Sequence, residues 1–238
     1  MFVPEPAKNS IRTETRGFHY VFNLSGKTGM DMQIHEFGNP DASIVLIEPI
    51  HTVDGMAHEA EIIRELAGDR FLLRAVNVDW FRDLSPWTVP PVSGNMAFGN
   101  GARETLERIL ELTGDPEKKF ILGGYSMGGL FALWAAYQTD AFAGVAAVSP
   151  SVWFPGFAEY TVSNSLRTGR VYLSLGSREE KTRNPVMATV GDRIRELYAR
   201  LQAQNIPCRL EWNEGNHFMD PDRRTAKGFA WVMKELNT

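Results

Sequence analysis

Five stretches of the chain are apolar at nearly every position: "SIVLIEP" (43–49), "FLLRAVNVD" (71–79), "KKFILGGY" (118–125), "GVAAVSP" (144–150) and "RVYLSLG" (170–176). A strand wetted on one face alternates apolar and polar residues, whereas a strand covered on both faces has no polar side to show. These five are therefore predicted to form a parallel sheet with helices above and below. "CRLEWNEG" (208–215) alternates more and is predicted as a sixth, less covered strand. Upstream, "GFHYVFNLSG" (17–26) and "GMDMQIHEFGNP" (29–40) combine β-branched and aromatic residues with Gly, Asn and Pro at their ends, which predicts an antiparallel hairpin.

Between the strands the period changes to that of helices. In "PVMATVGDRIRELYARLQAQ" (185–204), Val186, Val190, Ile194, Leu197 and Leu201 recur at three- and four-residue steps and make one apolar stripe on a polar helix. "TAKGFAWVMKEL" (225–236) repeats this with Phe229, Ala230, Met233 and Leu236. Strand and helix alternate from residue 43 onward, so the predicted architecture is α/β: a mostly parallel, doubly wound sheet with right-handed crossovers and an N-terminal antiparallel hairpin. "WFRDLSPWTVPPVSGNMAFGNG" (80–101) fits no regular element. Its prolines and glycines break both patterns, and Trp80, Phe81, Trp87 and Phe98 are costly to leave in water, so an ordered cap loop is expected there.

Composition narrows the class. The 238 residues, 43% hydrophobic and 11% aromatic, suffice for one large core, and a single α/β domain over 1–238 is expected. A net charge of −4, evenly spread, gives no reason to expect a nucleic-acid or membrane-surface partner. The lone Cys208 cannot form an internal disulfide, and "MFVPEPAKNS" has neither the basic nor the apolar region of a secretory signal, so a cytoplasmic setting is expected. Monomer and homodimer both remain open.

Candidate chemistry centres on Gly124-Tyr125-Ser126-Met127-Gly128, a G-x-S-x-G flanked by Gly123 and Gly129. It lies between a predicted buried strand and "MGGLFALWAAYQ", a predicted buried helix, which is the context of a nucleophile elbow: a sharp strand-to-helix turn that projects a serine hydroxyl beyond the sheet. Such a turn crowds side chains two positions away, and glycine relieves the crowding. The bland alternative is a glycine-rich turn with a capping serine. A serine hydroxyl needs a base, and the base needs an orienting acid. The elbow order is Ser, then Asp or Glu, then His. Of His19, His35, His51, His58 and His217 only His217 follows the serine, in the loop "EWNEGNHFMDP".

The acid is expected from "GSREEK" after the fifth strand, with Glu179 the choice and Glu180 the alternative, since open α/β sheets build sites at strand carboxyl ends. Asp192, Asp140 and Asp115 are less well placed. For an oxyanion hole, the Met127 backbone N–H is one expected donor. The second comes from "IEPIHTVDG", where Pro49 has no N–H and Ile50 and His51 remain equal choices. Tyr125, Trp80, Trp87 and Trp153 are expected to contact substrate. No histidine pairing suits a metal and no G-x-G-x-x-G opens the first βα turn, so no metal and no cofactor are expected.

"GGYSMGGLFALWAAY", "VAAVSPSVWFPGF", "VYLSLGSREEKTRN" and "GNHF" together give the chain, from about residue 18, a resemblance to the esterase family of α/β-hydrolases. That family takes in esterase D, enterobactin-type siderophore esterases, feruloyl esterases and mycolyltransferases. The resemblance implies an α/β-hydrolase fold, a nucleophile at Ser126, an acid at Glu179 in its G-x-x-E setting, a base at His217, and a cleft bordered by Ser149 to Trp153. The expected activity is serine-dependent cleavage of small carboxylic esters through an acyl-enzyme. Acyl transfer to another acceptor, thioester hydrolysis on the same residues, or a binding protein on a hydrolase scaffold are the alternatives. Siderophore and carbohydrate esterases usually carry longer insertions or signal peptides, and neither is expected here.

Overall fold

The computed structural model describes residues 13–14, 19–25, 31–95 and 97–236. The expectation for the N-terminal "MFVPEPAKNS" and the ends of the hairpin segments at 17–18, 26 and 29–30 lie outside these residues. In chain order the elements are β1 (Thr13–Glu14), β2 (His19–Ser25), β3 (Asp31–Gly38), β4 (Ile44–Ile50), α1 (Met56–Ala67), β5 (Phe71–Asn77), α2 (Trp80–Asp83) and α3 (Ala102–Leu110). There follow β6 (Lys119–Tyr125), α4 (Met127–Gln138), β7 (Gly144–Val148), α5 (Phe157–Ser163), β8 (Val171–Gly176), α6 (Val190–Ala203), β9 (Cys208–Asn213) and α7 (Pro221–Glu235).

Among the described residues nine strands form one sheet in the order β1-β2-β3-β5-β4-β6-β7-β8-β9. β2 and β3 pair as the predicted antiparallel hairpin, Phe22 opposite Ile34, and β3 joins β5 antiparallel. From β5 through β4, β6, β7 and β8 to β9 every pairing is parallel. The chain thus starts the parallel part in the middle at β4, winds one way to β5 and then the other way from β6 to β9. This is the mostly parallel α/β-hydrolase arrangement. Such a winding brings the carboxyl ends of β6, β7 and β8 side by side, where a parallel sheet collects its loops.

Alternate residues of the central strands feed two separate cores. Val45, Ile47, Leu122 and Leu173 pack under α3, α4 and α6, while Leu46, Ile121 and Tyr172 pack under α1 and α7 through Ile63, Phe229 and Val232. β9, at the sheet edge, keeps partly exposed positions, which is why its sequence alternates.

Two expectations need correction. The stripe assigned to 185–204 begins too early: Val186 is 39% exposed and precedes the helix, which starts at Val190, and only Val190, Ile194, Leu197 and Leu201 are buried. Nor is 80–101 without regular structure. Asp79 caps a single helical turn, its carboxylate accepting from the backbone of Phe81 (3.2 Å) and Arg82 (3.0 Å). The chain then returns across this turn through Gly99 and Gly101. A Cβ on Gly99 would lie 2.8 Å from the Arg82 backbone, and one on Gly101 2.9 Å from the Arg82 carbonyl oxygen. Phe98 is buried edge-on against Phe81, Trp153 and Phe154.

The α1/α7 core contains one polar intrusion. Glu48 of β4 and Glu59 of α1 are both buried and share a hydrogen bond, while Glu48 Oε2 and Glu59 Oε1 have no hydrogen-bond partner among the described residues. Burial pushes Glu48 up to about 7, opposed by its hydrogen bond to Glu59 and assisted by the nearby Asp222. Burial and the Glu48 charge raise Glu59 as well.

Candidate active site

Ser126 is the single residue between β6 and α4, and the reversal from strand to helix falls on it, with φ 54° and ψ −114°. A positive φ is costly for a non-glycine residue, roughly 1–3 kcal/mol. Hydrogen bonds pin the backbone there: Ser126 N donates to the Val148 carbonyl (3.0 Å), and its carbonyl accepts from Leu130 N (3.0 Å) and Ser151 N (3.1 Å). The flanking glycines allow the close approach. A Cβ on Gly124 would lie 2.9 Å from the Gly128 carbonyl carbon, and one on Gly129 would lie 3.0 Å from the Gly124 carbonyl oxygen and 3.1 Å from Pro150. At Gly128 a Cβ would meet only the Pro49 carbonyl oxygen, at an ordinary 3.4 Å, so crowding is one-sided.

The structure brings Ser126, His217 and Glu179 together from three different loops. His217 Nε2 is 3.1 Å from Ser126 Oγ, and His217 Nδ1 is 2.7 Å from Glu179 Oε2. Glu180 turns the other way, to an ion pair with Arg195 at 2.9 Å. Glu179 sits in a one-turn 3₁₀ segment just past β8, close enough to its own strand that Gly176 N donates to Oε1 at 2.7 Å. Burial would raise the Glu179 carboxyl. The hydrogen bond and charge of His217, the Ser149 hydroxyl and the Gly176 N–H outweigh that and hold it below the usual carboxylate range. An anion facing Nδ1 fixes the proton on that nitrogen and leaves the Nε2 lone pair toward the serine hydroxyl.

Four further residues make this arrangement rigid, and sequence reasoning gave none of them these tasks. Ser149, in the left-handed region at φ 42°, donates its hydroxyl to Glu179 Oε1 at 2.7 Å. Arg224 of α7, 2% exposed, donates through Nη1 to Glu179 Oε1 (3.2 Å) and Tyr125 Oη (3.0 Å), and through Nη2 to the Glu214 carbonyl (2.9 Å). Tyr125 donates in turn to the His217 carbonyl at 2.8 Å, and burial raises its phenol, which keeps that proton in place. One buried guanidinium therefore ties the acid's loop, the base's loop and the end of β6 together. Ser151 Oγ lies 3.3 Å from Ser126 Oγ. Continuing the buried stripe of α7 back four residues from Gly228 reaches Arg224, and a buried arginine there calls for a carboxylate; that was the available signal.

Ser126 and His217 open into a cleft of about 570 Å³. Trp80, Phe81, Met127 and Trp153 form an apolar wall, while Arg178, Lys181 and Asn216 line the polar part. A volume of this order suits a small organic ligand, for which ~300–1,000 Å³ is common. Trp87 is outside this lining: its indole donates to the Pro155 carbonyl at 2.9 Å and packs on Phe154 and Tyr160. Tyr125 is outside the lining as well and holds the His217 loop through its hydroxyl. Ile50 and His51 are not lining residues either. Ile50 is buried and its carbonyl accepts from Val78 N, whereas His51 is exposed, 6.4 Å from the Trp80 ring. Among the described residues no three His, Cys, Asp or Glu side chains cluster in a way that could hold a metal ion.

A family described as "Putative esterase" matches residues 97–221, more than half of the chain, and spans Ser126, Glu179 and His217. No curated protein matches the chain. Among solved structures, siderophore hydrolase EstA from Aspergillus nidulans superposes with a TM-score of 0.70 at 21% identity, over 99% of this chain and 99% of that one. EstB, a siderophore hydrolase from the same organism, gives 0.73 at 17% over 95% and 99%. The enterobactin esterase FES from Shigella flexneri gives 0.67 at 14%, over 94% of this chain and 62% of that one.

Proposed function

Since the chain belongs to the Putative esterase family and is a carboxylic-ester hydrolase, we propose that it cleaves its ester through a Ser126–His217–Glu179 triad and an acyl-enzyme intermediate. The single observation that carries the reading is the unbroken line of hydrogen bonds, 3.1 Å from serine to imidazole and 2.7 Å from imidazole to a carboxylate held as an anion. In the first half-reaction His217 Nε2 takes the proton from Ser126 Oγ as the oxygen attacks the ester carbonyl carbon. When the tetrahedral intermediate collapses, the carbon–oxygen bond to the alcohol breaks and the imidazolium gives its proton to the departing oxygen. Water then repeats the sequence on the acyl-serine, yielding the acid and free Ser126. Glu179 keeps Nδ1 protonated throughout and offsets the positive charge on the ring.

The developing oxyanion is held by the Met127 N–H at the start of α4, aided by the positive end of that helix, and by a backbone N–H at the end of β4 from Ile50 or His51. Gly128 lies against Pro49, which sets the end of β4 beside the first turn of α4. The whole chain acts as one unit, with 80–101 as the cap that closes the apolar side of the cleft. The substrate is a small molecule, in keeping with the cleft volume and with the siderophore hydrolases whose fold the chain shares. Among the described residues no helix is long and apolar enough to cross a membrane. Labelling with a fluorophosphonate tests the reading: the native protein takes one label, Ser126→Ala takes none and His217→Ala reacts far more slowly. A native protein that stays unlabelled would overturn it.

A further inference from the structure

The charge around the cleft is unbalanced. Arg178 and Lys181 both line it, one on each side of Glu179 and Glu180. Among the described residues neither has an acidic partner: the Arg178 guanidinium reaches only Met219 Sδ, at 3.8 Å, and the Lys181 ammonium has no hydrogen bond or ion pair. The two carboxylates between them in sequence, and Asp192 and Asp83, are committed elsewhere. Glu179 is consumed by His217, Ser149, Gly176 and Arg224, Glu180 and Asp192 share Arg195, and Asp83 holds Arg82 at 2.7 Å. Two cations that face a partly enclosed space and have no ion pair among the described residues attract an anion from solution.

Their position says which part of an ester carries it. Arg178 N donates to the Gly215 carbonyl at 3.0 Å and its side chain reaches Met219, so Arg178 brackets the loop that bears His217. His217 hands its proton to the departing oxygen, and the alcohol portion must lie on that side. Trp80, Phe81 and Trp153 are left to the acyl portion, and Phe218, 87% exposed beside His217, offers a ring to the alcohol. We propose that the substrates are esters of an apolar or aromatic acid with an alcohol that carries a carboxylate, recognised by Arg178 and Lys181. This rests on the Ser126–His217–Glu179 reading of the same site.

The test compares two esters alike in size, 3-(butyryloxy)benzoate and its neutral isostere 3-(butyryloxy)benzamide, with each rate divided by that of hydroxide-catalysed hydrolysis to remove leaving-group differences. The expected ratio of corrected kcat/KM, carboxylate over amide, is about tenfold at low salt, the scale of two partly exposed charge contacts, and shrinks as salt is raised. In Arg178→Gln/Lys181→Gln the ratio falls toward one, with each variant's own amide rate as its reference, so a loss of folded protein cannot imitate the result. A native ratio of one or below overturns the proposal, and so does a high ratio that survives the double substitution. Ser126→Ala is the separate control: turnover of either ester by that variant would count against the triad, whereas a triad that works without charge preference counts against this inference alone.

Discussion

Replacing Glu179 by glutamine exchanges one oxygen for an NH₂ group and predicts a large loss for a specific reason. Oε1 of Glu179 receives three donors, Gly176 N at 2.7 Å, Ser149 Oγ at 2.7 Å and Arg224 Nη1 at 3.2 Å, while Oε2 faces, among the described residues, His217 Nδ1 alone. Two of those donors, a backbone N–H and a guanidinium, cannot reverse to accept. The amide introduced by Glu179→Gln must therefore keep its oxygen at the Oε1 position and turn its NH₂ toward His217. A donor facing Nδ1 forces the imidazole proton onto Nε2, and a protonated Nε2 cannot take the serine proton. The wrong tautomer costs a triad about 10³–10⁴ in kcat, or roughly 4–5.5 kcal/mol of transition-state stabilisation. The assay is steady-state hydrolysis of a 4-nitrophenyl ester, with thermal melts to correct for the weakened contact to buried Arg224. Glu180→Gln, which loosens only an exposed pair with Arg195, is the control and should stay within about twofold of the native rate. A Glu179→Gln enzyme within about tenfold of native, or equal losses at 179 and 180, would refute the tautomer argument.

Two predictions concern the frame around the site. Gly124→Ala places a methyl 2.9 Å from the Gly128 backbone at the strand-to-helix turn, so it should cost ~1–3 kcal/mol in chemical denaturation and lower turnover with it; a fully stable, fully active variant would contradict the packing. Glu48→Gln probes the buried acid pair. Folded Glu48 titrates at about 7 against an ordinary 4.5, so the folded state holds a proton that the unfolded state has released. Native stability therefore falls as pH rises from 4.5 to 7. The neutral amide removes the part of that slope due to Glu48 and leaves the part due to buried Glu59, and denaturation at about pH 5 and about pH 8 should show Glu48→Gln gaining on native by up to ~3 kcal/mol at the higher pH. An equal difference at both pH values would rule this out.

Much of this molecule is legible without coordinates because its central strands are buried on both faces. Continuous apolar runs mark β4, β5, β6, β7 and β8, and the alternation of β9 marks it as the edge. The elbow is legible because a backbone reversal between a strand and a packed helix leaves room for few residues besides glycine. Other features depend on contacts distant in sequence. Adjacent Glu179 and Glu180 look alike in a sequence, and only the placement of Arg195 and Arg224 separates a solvated ion pair from a buried anion. Ser149 and Tyr125 act through hydroxyls directed by the turn after β7 and the loop after β9, which no local periodicity encodes. Trp87 groups with the cleft by its neighbours in sequence, yet its indole finds its hydrogen bond at Pro155, outside the cleft lining.

The central claim is that a bond forms between substrate and Ser126, and mass spectrometry of a quenched reaction measures this directly. Mixing the protein with an excess of a slowly deacylating 4-nitrophenyl ester and quenching in acid should give one added acyl group, located on Ser126 in the peptide spanning the β6–α4 turn. A protein that turns the ester over while Ser126 remains unmodified at every quench time, or that carries the acyl group on another residue, would contradict the account.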